Sequence, residues 1–309
     1  AGVINAIVQG RYDRALSEIE KNRGQGTDIQ ADLMAGDVLL LKGDFRGAED
    51  RYERSGPSSP QTKVRLARLA LAEGRYARAA ELAAAAGDDL LVAYVERRRG
   101  RPDKGREAAE RALKAAEELG SFLAELEALQ LKGALEVAAG DLEAAKATAA
   151  RLGGVKKTRQ EKAHARTAGV LEAMIADASG RADLAAERYE AVVEGLPRDV
   201  PYLFDGLLSA GDLASSHASV LYGAAKAHEK TGRIDKALDF YLRLLALNGG
   251  RLQHPDLYAL SHYAIGRIRQ DQGDRDRARE SLAKFLDLWK NADPGLPEVE
   301  DAKARLGPR

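Results

Sequence analysis

Apolar residues recur along this chain at spacings of three and four. The pattern is broken at intervals by a short polar turn that begins with glycine. Ile29, Leu33, Gly36 and Leu40 fall on one face of a helix predicted over 29–42. After Gly43 the period resumes at Phe45, Ala48 and Tyr52. The same sign recurs at Gly10, Gly43, Gly74, Gly140, Gly232 and Gly273, with degraded copies at Gly100 and Gly180. Gly232-Arg233-Ile234-Asp235-Lys236-Ala237 is representative. Successive signs lie 33, 31, 26, 40, 40, 52 and 41 residues apart, so each unit holds two helices, A and B, around one tight turn.

Glycine suits the left-handed end of helix A because it has no Cβ to clash there. The Asp that follows several of these glycines is expected to cap helix B. From about residue 100 the longer spacing predicts longer helices, over 106–119 and 121–139. The 52-residue gap holds Gly195-Leu196-Pro197-Arg198-Asp199-Val200-Pro201-Tyr202-Leu203-Phe204-Asp205-Gly206, whose two prolines predict an extended connector. The final helix B ends at Leu286-Asp287-Leu288-Trp289-Lys290. The segment 298–306 then reads as a charged helix covering the last unit.

The pattern resembles the tetratricopeptide repeat, a helix-turn-helix of about 34 residues. It carries the small residue of helix A and the small residue after the turn as Gly36 with Ala48, Ala67 with Ala79, Gly133 with Ala145, Ala225 with Ala237, and Gly266 with Ala278. The fourth unit departs from the pattern, with Gly105 in place of Ala and Pro102 just after the turn. The resemblance implies an all-α, right-handed helical solenoid of about eight units with a C-terminal capping helix. Units one to six are expected over 1-195, the first truncated. A connector is expected over 196-212, and units seven and eight with the capping helix over 213-309. The tail from Leu247-Asn248-Gly249-Gly250-Arg251-Leu252 to Val299 is similar to the repeat tails of multidomain bacterial signalling proteins. Those carry a serine/threonine kinase or a winged-helix domain upstream. The segment 1–9 reads as the end of a helix, so the chain is expected to be part of a longer protein.

Composition narrows the function more than it names it. Lys plus Arg and Asp plus Glu are 48 each, which argues against a general phosphate-backbone binder. There is no Cys, so disulfides, thiolate metal sites and cysteine nucleophiles are excluded. No apolar run reaches the roughly 18 residues of a membrane span. The compartment is left open, with the cytoplasm favoured. Kinase signatures are absent. Gly24-Gln25-Gly26-Thr27 lacks the lysine of a phosphate loop and reads as a linker. His164, His217, His228, His254 and His262 show no metal-ligand spacing, and neither metal nor cofactor is expected. The basic runs Arg97-Arg98-Arg99-Gly100-Arg101 and Lys156-Lys157-Thr158-Arg159 read first as solvated helix ends that complement the helix dipole.

The stacked A helices are expected to line the binding surface. Family geometry maps its positions three before, one after and four after each small helix-A residue. Asp37, Arg68, Tyr94, Arg97, Met174, Asp177, Tyr222, Lys226, Glu229, Tyr263, Arg267 and Gln270 fall on them. The anchors singled out are Arg68, Tyr94, Arg97, Tyr222, Lys226, Tyr263 and Arg267, since Tyr and Arg are favoured at binding hot spots. The competing reading packs these tyrosines between neighbouring A helices. The Lys-x-x-Gly-Asn start that clamps chaperone tails is missing. The function expected is a non-enzymatic scaffold for a protein or peptide, in the interaction or sensory part of a bacterial signalling protein. The alternatives are a sensor of a small anionic ligand near Arg97 or Lys226, and a self-associating array.

Overall fold

The computed structural model describes residues 2–24, 28–155, 161–196, 217–248 and 251–307. Within them every regular element is an α-helix. The connector over 196-212 lies outside the described residues except for Leu196. So do Gln25 to Thr27, the lysine run at 156–159, and Tyr202-Leu203-Phe204.

The chain divides into two compact units. The first joins residues 2–88 to 246–307, and the second runs over 89–196 and 217–245. In the first unit the helix pairs are α1 (Gly2–Val8) with α2 (Tyr12–Lys21), α3 (Asp28–Lys42) with α4 (Phe45–Arg54), α5 (Pro60–Ala72) with α6 (Tyr76–Ala86), and α15 (Pro255–Asp271) with α16 (Arg275–Leu288). The closing helix α17 (Pro297–Leu306) follows. In the second they are α7 (Asp89–Arg98) with α8 (Pro102–Leu119), α9 (Phe122–Ala138) with α10 (Leu142–Gly154), α11 (Glu161–Ala178) with α12 (Ala182–Glu194), and α13 (His217–Lys230) with α14 (Ile234–Leu245). All eight glycine signs mark the turn of a pair. The long spacings after Gly100 come from α8, α9 and α11, with 18, 17 and 18 residues.

Two local devices build each pair. Where Asp follows the turn glycine it caps helix B: Asp44 accepts from the Gly47 N–H at 3.0 Å, and Asp141 from Ala144 at 3.1 Å. The small residues set the spacing between helices. A Cβ on Gly36 would stand 2.3 Å from the Tyr52 ring on α4, and one on Gly266 would stand 2.7 Å from Leu282 on α16. Gly105 has the same cause. A Cβ there would lie 2.4 Å from Leu135 of α9 and 3.2 Å from the Ala93 carbonyl of α7, so α8 packs too closely against the Leu135 side chain for alanine.

The array rule did not foresee the composition of the first unit, in which the two ends of the chain pack together. α15 rests on α5. Asn248 Oδ1 accepts from the Tyr12 hydroxyl at 2.9 Å, and its amide donates to the Val8 carbonyl at 2.8 Å. Trp289, 2% exposed, meets Tyr76 edge to face with centroids 5.8 Å apart. Asp293 accepts from the Ala77 N–H at 2.8 Å, while its own N–H donates to the Gly74 carbonyl. Arg75 at the N-cap of α6 supplies no capping bond, so Asp293 performs from the far end of the sequence what Asp44 does locally for α4.

Candidate functional site

The A helices carry polar side chains at buried positions, where a helix that only filled a core would carry apolar ones. In the first unit Asp37 of α3, Tyr52 of α4, and Arg65 and Arg68 of α5 form one cluster, each less than 9% exposed. The Tyr52 hydroxyl donates to Asp37 Oδ1 at 2.9 Å, and Arg65 Nε donates to both Asp37 oxygens at 3.2 Å. Burial first, and then the Asp37 charge, hold the Tyr52 hydroxyl well above its usual range. Burial pushes Arg68 below its usual range, with Asp88 and Asp37 opposing. Its Nε is buried without a hydrogen-bond partner among the described residues.

The second unit supplies Tyr94 and Arg97 on α7, Gln130 on α9, Met174 and Asp177 on α11, and Tyr222 and Lys226 on α13. Tyr94 is buried, and the Arg97 guanidinium sits 5.8 Å from its ring centroid. The charge of Arg97 also reaches the Tyr189 hydroxyl, opposing the burial that pushes that group up to about 12. Gln130 donates to the Met174 sulfur at 3.8 Å, and Asp177 pairs with Lys230 at 2.7 Å. The Tyr222 ring meets Tyr241 edge to face at 5.7 Å, and the Tyr241 hydroxyl donates to Glu229 at 2.5 Å. Lys226 is exposed.

Tyr263 is engaged differently. Its hydroxyl donates to Asp301 of α17 at 2.9 Å and its ring lies against Phe285. Burial and that bond push it up to about 12. Arg305 of α17 bonds Asp301, Asp271 and Gln270, so the closing helix covers this stretch of α15. Arg267 lies close enough for its charge to act on both Tyr263 and Asp301.

Of the named anchors, Arg68, Tyr263 and Arg267 therefore belong to the first unit, and Tyr94, Arg97, Tyr222 and Lys226 to the second. Sequence reasoning passed over Arg65, Gln130 and Arg251. Gln130 stands three before Gly133, on the same rule that selected the others, while Arg65 lies one position off it. Among the described residues no group of three His, Asp or Glu side chains could hold a metal ion. No helix among them is long and apolar enough to cross a membrane.

Comparison with known proteins comes from two directions. Residues 33–89, spanning α3 to α6, match one tetratricopeptide-repeat family model, and residues 218–250, spanning α13 and α14, match a second. No curated protein matches the chain in sequence. Among solved structures, NprR in complex with its cognate peptide NprX is 13% identical with a TM-score of 0.56, covering 98% of this chain and 93% of that one. A tetratricopeptide repeat protein from Parabacteroides merdae is 16% identical over 91% of this chain and 98% of its own, with a TM-score of 0.47. The apo quorum sensor NprR from B. thuringiensis is 11% identical over 98% and 94%, with a TM-score of 0.45. The NprR–NprX likeness shows a shared fold. With the helix pairs and close glycine contacts described above, the family matches identify 33–89 and 218–250 as tetratricopeptide repeats.

Proposed function

We propose that this chain is a non-enzymatic scaffold that holds a protein or peptide segment against its A helices, in the interaction or sensory part of a bacterial signalling protein. The observation that carries the reading is the set of accessible aromatic and cationic side chains on A helices of the second unit, Arg97 of α7 and Tyr222 and Lys226 of α13, with Tyr94 buried beside Arg97 and Gln130 buried on α9. Stiff aromatic area beside forked or long cations is what interface hot spots use. The shared fold with NprR, whose structure holds a cognate peptide, supports the same reading. The signalling context rests on the similarity of the C-terminal tail to repeat tails that follow kinase or winged-helix domains. The balanced charge argues against nucleic acid as the partner.

The test is a peptide-array selection followed by titration of the selected peptide in fluorescence polarisation. Arg97→Ala and Lys226→Ala together are expected to weaken binding at least tenfold with unchanged helical circular dichroism. An affinity unaltered by the double substitution would refute the assignment of these helices.

A further inference from the structure

A second candidate site is built wholly from residues of the first unit. A half-open cleft, enclosing about 50 Å³ and continuing into an open mouth, is lined by the end of α3, the start of α4, Ala72 of α5, the N-terminal turns of α15, and Lys284 and Leu288 of α16. Its apolar wall is made by Leu40, Leu41, Phe45, Ala72, Ala259 and Leu288. Among the described residues three cations line it, Lys42, Arg251 and Lys284, and no carboxylate does.

Arg251 is the unusual member. It is 8% exposed, yet no carboxylate among the described residues pairs with it. Its Nη2 donates to the Leu41 carbonyl at 2.8 Å and to the Tyr12 hydroxyl at 3.0 Å, and its guanidinium lies 4.2 Å from the Tyr258 ring centroid. Its Nε is buried with no hydrogen-bond partner among the described residues. A buried charge without a counter-charge is costly, and aromatic and carbonyl contacts offset only part of that cost. The rim cations are exposed: Lys42 reaches Asp13 at 2.7 Å, and Lys284 stands 4.0 Å from Asp287. Pro255, the first residue of α15, also lines the space, which adds the positive end of a 17-residue helix. His262, beside Tyr258, feels the same field. Burial and the charges of Lys284 and Arg251 depress it to about 4, and its Nε2 is buried without a hydrogen-bond partner among the described residues.

We propose that this cavity binds a small amphiphilic carboxylate, an apolar chain seated on the leucine wall with its single anionic group neutralising Arg251. The chemistry is shared by a free alkanoate and by the C-terminus of a short apolar peptide. The inference does not depend on the peptide-binding reading of the A helices.

The whole protein is titrated calorimetrically with octanoate, octanol, the free acid of Leu-Leu-Leu, and its C-terminal amide. Octanoate, the free-acid peptide or both are expected to bind at least tenfold more tightly than their neutral counterparts, and whichever binds identifies the source. Equal binding of acid and neutral forms, or no binding of either acid, overturns the proposal. Arg251→Met removes the central charge but also the bonds to Leu41 and Tyr12, so Lys284→Glu on the exposed rim is the second variant. It is expected to weaken the acid about tenfold and leave octanol unchanged, and unchanged acid affinity counts against the site. Bound acid is also expected to raise the NMR titration midpoint of His262, a change that His262→Gln identifies by removing the signal. A midpoint that does not move places the acid elsewhere.

Discussion

The docking of the chain's two ends can be tested with one methyl group. Gly74 turns α5 into α6 with φ 71°, and a Cβ added there would lie 2.7 Å from Trp289 Cδ2 and 3.0 Å from the Ala292 Cβ. Gly74→Ala therefore carries two penalties. The left-handed backbone costs an L-residue about 1–2 kcal/mol. Forcing a methyl against a buried, rigid indole adds about 1–3 kcal/mol. Gly273, in the turn between α15 and α16, has φ 88° and nothing within 4 Å of its would-be Cβ, so Gly273→Ala carries the backbone penalty alone. Both glycines belong to the first unit, and Trp289 is the only tryptophan in the chain. Urea unfolding followed by its fluorescence thus reports that unit directly. With a urea slope of about 2 kcal/mol per molar, the extra loss at Gly74 moves the midpoint by a further ~1 M relative to Gly273→Ala. Combining Gly74→Ala with Trp289→Phe, followed by circular dichroism, removes part of the clash, and the Gly74 penalty is expected to fall towards that of Gly273. Equal midpoints for Gly74→Ala and Gly273→Ala would refute the docking of Trp289 onto this turn.

Three further outcomes follow from the same unit. Asp293→Ala removes the remote cap of α6 and is expected to cost about 1 kcal/mol in urea unfolding, as a local N-cap would. Tyr52→Phe takes the hydroxyl from Asp37, which keeps Arg65 as partner. The expected loss is about 1–2 kcal/mol, and Gly36→Ala, which meets the same ring at 2.3 Å, is expected to be worse. His262 binds its proton only near pH 4 when folded but at about 6.5 when unfolded, so the unfolded chain holds more protons between those values. Stability is then complete above pH 6.5 and falls as pH drops towards 4. The loss amounts to about 3 kcal/mol, and His262→Gln should flatten it in urea titrations across that range.

What the sequence made legible follows from how far its signals reach. The glycine turns, the 3.6-residue period and the helix-A small residues are local features, and they located all eight helix pairs and the closing helix. The docking of 246–307 onto 2–88 has no local sign. Asp293 follows Asn291-Ala292 and precedes Pro294-Gly295, a context that reads as a chain break, and nothing in that context points to an N–H group 216 residues away. Arg251 shows the same limit. It follows two glycines and precedes a leucine, and in a chain with 48 basic residues it reads as one more surface cation. Only the fold shows that it is buried beside the Leu41 carbonyl with no carboxylate among the described residues to meet it. Tyr263 carries the lesson for anchors chosen by register. The positions three before, one after and four after a small residue define one face of helix A, but they do not say what covers it. At Tyr94 that face is buried, and at Tyr222, in the same unit, it is half-buried. At Tyr263 it is partly covered by α17, the helix that follows the pair. A pair whose face is met by the helix that follows it is a weak place to look for a groove anchor, which is why binding is tested at Arg97 and Lys226 rather than at Tyr263 and Arg267.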